Sequence, residues 1–318
     1  MSIQTGGQER IQGVPSHLLQ DTTPSWRDFL RMLVVLFKLR VVALLLLAAV
    51  GGAFLGAQGW PGVGPLLLLL VTGGMAASGA SAINQYIERS SDAIMSRTRL
   101  RPLPTGAIRH PRLVVAIGLA LILLPSLALL PYNPTLAFFL LLGAFIYVGI
   151  YTIWLKPRTL LNIVIGGAAG SAAVMSGGAA VGAAGDPAVI SLSLLLFLWT
   201  PSHFWSLAIL HRGDYERADV PMLPVNVSGR QAAWWVFLHT GATGMASLLL
   251  AFTPALGWSY FLPVAGATVD IFWRNFRLIF VPNKPNARSL FIASNVYLTV
   301  VLASIMVSSV LHNLWPLF

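Results

Sequence analysis

The sequence predicts an all-α integral membrane bundle of nine transmembrane helices, and three observations carry that prediction. Only 9% of the 318 residues are charged while 56% are hydrophobic. A soluble domain carries about 25% charged residues, so this chain has too little polar side chain to cover a water-facing surface. Apolar runs of about 20 residues, enough to span a bilayer core, recur along it. The basic residues fall only in alternate connections between those runs.

Residues 1–30 read as a polar tail, with Glu9, Asp21 and Asp28 beside Arg10 and Arg27. The stretch lacks the apolar core of a cleavable signal and the acid-poor, Arg-rich composition of a transit peptide. It is expected to be a cytoplasmic amino-terminal tail running into an interfacial segment, in a bacterial cytoplasmic (inner) membrane. Residues 31–318 then form one membrane domain. Apolar runs between charged or Pro/Gly breaks place helices at 33–57, 65–88, 112–131, 135–155, 161–183, 188–210, 232–253, 258–280 and 290–312.

The orientation follows from the 20 Lys and Arg residues. Arg10, Arg27, Arg31, Lys38 and Arg40 lie in the tail and the start of the first helix. Arg89, Arg97, Arg99, Arg101, Arg109 and Arg112 follow helix two, and Lys156 and Arg158 follow helix four. Arg212, Arg217 and Arg230 follow helix six; Arg274, Arg277, Lys284 and Arg288 lie at the end of helix eight and beyond. The intervening connections, around Trp60, Tyr132, Asp186 and Leu256, carry none, and neither does the chain after His312. The positive-inside rule puts the amino terminus in the cytoplasm and the carboxyl terminus in the periplasm. A net charge of +10 distributed this way reports topology and anionic headgroups rather than nucleic acid. The chain has no cysteine, which excludes disulfides, thiolate metal sites and a catalytic thiol.

Two of the inside loops are long and chemically rich. The first contains Asn84, Glu88 and Asp92 at four-residue spacing, which places all three on one face of a helix end. Clustered oxygen ligands of this kind suit Mg²⁺, which is held by one or two carboxylates together with substrate phosphates. Arginines follow at once, and the guanidinium fork matches phosphate oxygens. The second loop supplies Asp214, Glu216 and Asp219. Each loop alone reads equally as an ordinary solvated connection whose acids pair with neighbouring arginines. Two acidic loops on one side are what point to a metal-bridged diphosphate between them.

These segments resemble the two acid-rich motifs of the UbiA superfamily of intramembrane prenyltransferases. The first motif there has the form Asn-x3-Asp-x3-Asp, then Met-x-Arg-Thr-x2-Arg-Pro. Here it reads Asn84, Glu88, Asp92, Met95, Arg97, Thr98, Arg101 and Pro102. The run Tyr151-Thr152, Lys156, Arg158-Thr159, Asn162-Ile163, Ile165-Gly166-Gly167 is similar to the haem-farnesylating branch of that superfamily. So are Trp199-Thr200-Pro201, His203-Phe204-Trp205, Asp214-Tyr215 and Pro221-Met222-Leu223-Pro224-Val225. The likeness runs from about Lys38 to about residue 300, and nine helices is the family's number. Glu88 stands in place of the usual Asp, Ala173-Val174 in place of a Pro-Pro pair, Lys38-Leu39-Arg40 in place of Lys-Pro-Arg, and Asp219 where Gly is common.

The resemblance implies a UbiA-type bundle that moves farnesyl from farnesyl diphosphate to a vinyl group of haem b, making haem O. It implies Mg²⁺ as cofactor, held by Asn84, Glu88 and Asp92 on one side and by Asp214 and Asp219 on the other. Asn84, Glu88, Asp92 and Asp214 would be catalytic. Lys38, Arg40, Arg97, Arg101, Lys156, Arg158, Asn162, His203 and Tyr215 would contact substrates, and a haem A synthase would be a partner beside the lipid bilayer. Several of these residues keep a structural alternative. Lys156 and Arg158 read equally as helix-end anchors, His203 as a hydrogen bond between helices, and Tyr151 and Tyr215 as interfacial aromatics. Asp270 lies four residues before Arg274 and reads as a helical ion pair. A quinone-precursor or chlorin acceptor would use the same diphosphate chemistry. A transporter would show related halves and acids at mid-span, and neither is present in the sequence.

Overall fold

The computed structural model describes residues 25–314, and every described element is helical. The tail residues 1–24, including Glu9, Arg10 and Asp21, and the last four residues lie outside the described part. A short helix, α1 (Trp26–Leu36), begins within the stretch expected to be tail. Ser25 caps it: its hydroxyl accepts from the Asp28 amide while the Asp28 carboxylate accepts from the Ser25 amide, a reciprocal capping box that satisfies two otherwise free donors. Lys38 sits in the left-handed region with φ 49° and separates α1 from α2 (Leu39–Gly56). The first apolar run, read as 33–57, is therefore two helices with a bend.

The remaining spans fall on the apolar runs, although the third helix continues to Ile94, past the run read as 65–88, and the last begins at Lys284, before the run read as 290–312. They are α3 (Val63–Ile94), α4 (Pro111–Leu129), α5 (Pro134–Phe145), a π-helical continuation of α5 (Ile146–Leu155), α6 (Asn162–Gly166) and α7 (Ala168–Ala180). Then come α8 (Pro187–Leu210), two short helices α9 (Arg212–Arg217) and α10 (Leu223–Asn226), and α11 (Gly229–Leu250), α12 (Gly257–Phe280) and α13 (Lys284–Leu314). Pro opens α4, α5 and α8, where its missing amide hydrogen costs nothing. With α5 and its continuation, and α6 and α7, each counted as one span, nine long helical stretches stand among the described residues. Seven are long and apolar enough to cross a membrane. The other two, α11 and α12, are as long but carry His239, Thr240 and Thr243, and Asp270, Arg274 and Arg277.

This protein is an all-helical integral membrane bundle. Its main core joins α8 to α11, α12 and α13 through residues such as Leu195, Val236, Tyr260, Ile271 and Tyr297. A second core packs α2 against α3, α5 and α7. There the backbones approach closely: a Cβ on Gly177 of α7 would collide with the Ala49 carbonyl of α2, so only Gly fits. Close approach through small residues is how membrane helices gain packing without a hydrophobic drive between them.

Two lengths matter for the site. Helix α3 has 32 residues, or about 48 Å of rise, against a bilayer core of about 30 Å. Its last turns, with Glu88 and Asp92, therefore stand at the end of the bundle where the basic loops gather. The π-helical segment spans 10 residues, far longer than the single π-turn usually seen, and such segments mark functional positions. It carries Tyr147, Tyr151 and Thr152 toward the same end.

Candidate active site at the basic end

The wider π-helical turn changes who can bond whom. Thr152 donates its hydroxyl to the carbonyl of Tyr147, five residues earlier, at 2.7 Å. The same hydroxyl accepts from Asn84 Nδ2 at 2.9 Å. Asn84 Oδ1 in turn accepts from Lys38 Nζ at 2.5 Å, and Lys38 also reaches the Tyr147 hydroxyl at 3.0 Å. A closed ring of bonds thus joins the α1–α2 junction, α3 and the π-helical segment. Tyr147 and Tyr151 stack with centroids 5.9 Å apart, directly beside it. A left-handed conformation costs a non-Gly residue about 1–2 kcal/mol, and the two bonds made by its ammonium hold Lys38 there.

One turn further along α3, Glu88 pairs with Lys156 at 2.5 Å; another turn on, Asp92 pairs with Arg101 at 2.6 Å. The side chains of both pairs are at most 18% exposed, so these are desolvated pairs rather than surface decoration. Asn84, Glu88 and Asp92 share one helix face, as their spacing requires. Lys38, Lys156 and Arg101 meet that face from three other segments; Lys38 lies within electrostatic reach of the other two, and burial pulls its ammonium down to about 7. Burial pulls the Lys156 ammonium down, but Glu88 beside it more than compensates and raises it above its ordinary value. The ammonium therefore stays charged.

The second acidic loop joins this cluster through Asp214. Its carboxylate is 5% exposed and receives the Ser96 hydroxyl at 2.7 Å and the Ser96 amide at 3.2 Å. The Arg217 guanidinium pairs with it as well. Burial pushes the Asp214 carboxyl up, yet the Ser96 hydroxyl and amide, the Arg97 amide and Arg217 together hold it below the usual carboxylate range. Tyr215, the next residue, is buried and lies within electrostatic reach of Tyr151 and Lys156. The two loops are therefore in direct contact.

Other expected site residues sit elsewhere. Arg158 turns back on its own helix end and donates to the carbonyls of Ile153 and Trp154 at 2.9 and 2.8 Å. Asn162 is fully buried and donates to the Pro221 carbonyl at 2.9 Å, which fixes the loop after α9. His203 bonds Ser294 Oγ of α13 at 2.7 Å and stacks between Trp199 and Phe291. That is the interhelical bond its alternative reading describes. Arg40, Arg97, Glu216 and Asp219 are exposed. Asp219 has φ 52°, a left-handed residue, and Asp is one of the few non-Gly types that enter this region readily. Asp270 and Arg274 form the expected helical pair at 2.8 Å.

Sequence reasoning missed Ser96 and Tyr147 as site residues and gave Thr152 no role. Ser96 carried no signal beyond its place between two motif residues. Tyr147 lies four residues before Tyr151 and would have been found by asking which aromatics share a face.

Among the described residues no three His, Asp or Glu side chains converge closely enough to hold a metal ion. The donor set is nonetheless of the right kind. Glu88, Asp92 and Asp214 are hard oxygen donors at one end of the bundle, each matched to a cation rather than buried unpaired. Mg²⁺ needs only one or two such carboxylates when phosphates complete its shell.

The sequence profile of the UbiA prenyltransferase family matches residues 44–307. A protein of Alkalilimnicola ehrlichii named protoheme IX farnesyltransferase is 39% identical over 288 residues, 89% of this chain and 92% of that one. Solved structures share the fold. A UbiA homologue from Aeropyrum pernix K1 superposes with a TM-score of 0.67 at 18% identity, covering 84% of this chain and 98% of its own. One from Archaeoglobus fulgidus, bound to DMAPP and Mg²⁺, gives 0.58 at 17% identity, covering 86% and 99%.

Proposed function

Because this chain belongs to the UbiA prenyltransferase family, we propose that it transfers farnesyl from farnesyl diphosphate to a vinyl group of haem b, producing haem O. The acceptor and the transferred farnesyl group are those in the name of the Alkalilimnicola ehrlichii relative. The observation that carries the site assignment is the meeting of Lys38, Lys156 and Arg101 with the Asn84–Glu88–Asp92 face. A buried set of cations beside carboxylates is what a metal-bound diphosphate needs.

The diphosphate head lies at the basic end, on the cytoplasmic side of a bacterial inner membrane under the positive-inside rule. Its tail runs among the apolar helices. Lys38, Arg101 and Lys156 would take the phosphate oxygens, while Asn84, Glu88 and Asp92, with Asp214 across the site, would hold the cation. Mg²⁺, when bound, offsets the charge that grows on the departing diphosphate. The C1–O bond of the donor breaks and its electron pair leaves with the diphosphate. The vinyl π-electrons of haem form the new carbon–carbon bond to C1. Water then adds to the carbon next to the pyrrole ring and loses a proton, giving a hydroxyethylfarnesyl group. The stacked Tyr147 and Tyr151 present aromatic faces near the breaking bond, and the packed helices keep water from quenching the allylic cation early.

The deciding experiment incubates the purified protein in vesicles with haem b, farnesyl diphosphate and Mg²⁺ and weighs the haem by mass spectrometry. The expected result is a gain equal to one farnesyl group plus one hydroxyl group. Unchanged haem with farnesylation of a quinone precursor or chlorin would overturn the acceptor; no transfer to any acceptor would overturn the activity.

A further inference from the structure

Among the described residues, helix α1 is mostly exposed, with Leu36 its one buried side chain. Trp26, Phe29, Leu30 and Val34 lie along one side and are 70%, 52%, 40% and 41% exposed. Their spacing at i, i+3, i+4 and i+8 makes one apolar stripe. Arg27 and Arg31 flank that stripe on the adjoining face, with Asp28 the only acid. A stripe this apolar is not stable in water unless something covers it. Only Phe37 and Lys38 separate α1 from the span α2, so the helix is tethered where the bilayer surface must be. An amphipathic helix with aromatic and basic residues, anchored at that level, matches an anionic headgroup layer.

The carboxyl end of α1 is also tied to the diphosphate site. Gln85 of α3 is fully buried and its amide donates to the carbonyls of Val35 and Leu36, both at 2.7 Å. Its neighbour Asn84 receives the Lys38 ammonium. Adjacent side chains on α3 thus grip the two sides of one bend. Leu36 packs into a small core with Ala82, Leu103 and Val114, which reaches the loop carrying Arg101.

We propose that α1 docks on anionic lipid at the basic end of the bundle, and that this docking, transmitted through Gln85, holds Lys38 in position to bind the diphosphate. The docking half stands on the helix alone; the coupling half rests on the prenyltransferase reading.

The absence of native cysteine permits a clean test. Leu30→Cys carries an environment-sensitive fluorophore, and the protein is placed in vesicles of phosphatidylcholine with and without phosphatidylglycerol. The label is expected to shift to the blue and to be quenched by spin-labelled lipid, more strongly with phosphatidylglycerol. Arg27→Glu with Arg31→Glu should remove that lipid dependence. Binding of farnesyl diphosphate to the unlabelled protein should tighten about fivefold with phosphatidylglycerol, and Gln85→Ala should abolish the tightening while a label on α1 stays in lipid. A label that stays in water at every composition overturns the docking. A label that is shielded but not quenched by lipid puts residues 1–24 on this face and also overturns it. Lipid-dependent binding that survives Gln85→Ala overturns the coupling. Absence of any farnesyl diphosphate binding would strike the enzymatic reading instead, and the label would still decide the docking.

Discussion

Ser96 and Asp214 are 118 residues apart in sequence, yet the Ser96 hydroxyl lies 2.7 and 2.9 Å from the two carboxylate oxygens of Asp214. That contact joins the loop after α3 to the helix α9 and makes one site of two acidic segments.

Ser96→Ala is expected to lower kcat/KM about tenfold to a hundredfold, because a hydrogen bond to a charged group contributes about 1.5–3 kcal/mol. Asp214 would keep the Ser96 and Arg97 amides and Arg217, so the fold should survive and thermal unfolding in detergent should change little. Ser96→Thr retains the hydroxyl and should recover most of the rate. Wild-type kinetics in the Ala variant would mean that the two loops do not act together.

The Glu88–Lys156 pair separates stability from chemistry. Lys156→Met strands a carboxylate with little access to water, a change that costs about 3–5 kcal/mol when a buried pair loses one partner. Adding Glu88→Gln removes the stranded charge, and the double variant should regain most of the lost unfolding temperature. It should remain inactive, since both the diphosphate cation and a metal ligand are gone. If the double variant turns over normally, neither side chain serves the reaction.

Most of the helical scaffold was legible because hydropathy needs only composition. Runs such as 188–210 and 258–280 fall within a residue of α8 and α12, since little but a charge or a Gly/Pro break can end a membrane helix. Features set by tertiary bonds were not legible. The run 135–155 reads as one uniform apolar helix, but its second half is π-helical, its wide turn pinned where Thr152 bonds both Tyr147 and Asn84. The bend at Lys38 likewise depends on Asn84 and Tyr147, which lie 46 and 109 residues away. Asn84, Glu88 and Asp92 showed in the sequence because helical spacing puts them on one face. Lys38, Arg101 and Lys156 showed as well, but not which of them meets which member of that face, because no local rule selects Lys156 over Arg158 for Glu88.

Helix packing yields a paired test. Gly177→Ala would drive a Cβ into the Ala49 carbonyl, and forcing extra atoms into a packed core costs about 1–3 kcal/mol or more. A methyl added at Gly241 of α11 would meet nothing within 4 Å, so Gly241→Ala should be neutral or slightly stabilising by its helix propensity, about 1 kcal/mol at most. Yield of folded protein and resistance to proteolysis in detergent should fall sharply for the first and not for the second. Equal behaviour of the two would mean that α2 and α7 do not approach as closely as this packing requires.

Thr152→Val tests whether the π-helical turn is built for the site. Valine keeps the shape but removes the hydroxyl, so Asn84 Nδ2 loses its acceptor and the Tyr147 carbonyl its side-chain donor. Leaving such a buried donor unsatisfied costs about 1–3 kcal/mol. Asn84 escapes that cost only by rotating, which moves the oxygen that Lys38 holds at 2.5 Å. The Lys38 ammonium would shift with it, and the KM for farnesyl diphosphate should rise more than kcat falls. Thr152→Ser keeps the hydroxyl and should restore the KM. A stability loss with KM unchanged would confine Thr152 to holding the helix turn and detach the ring of bonds from substrate binding.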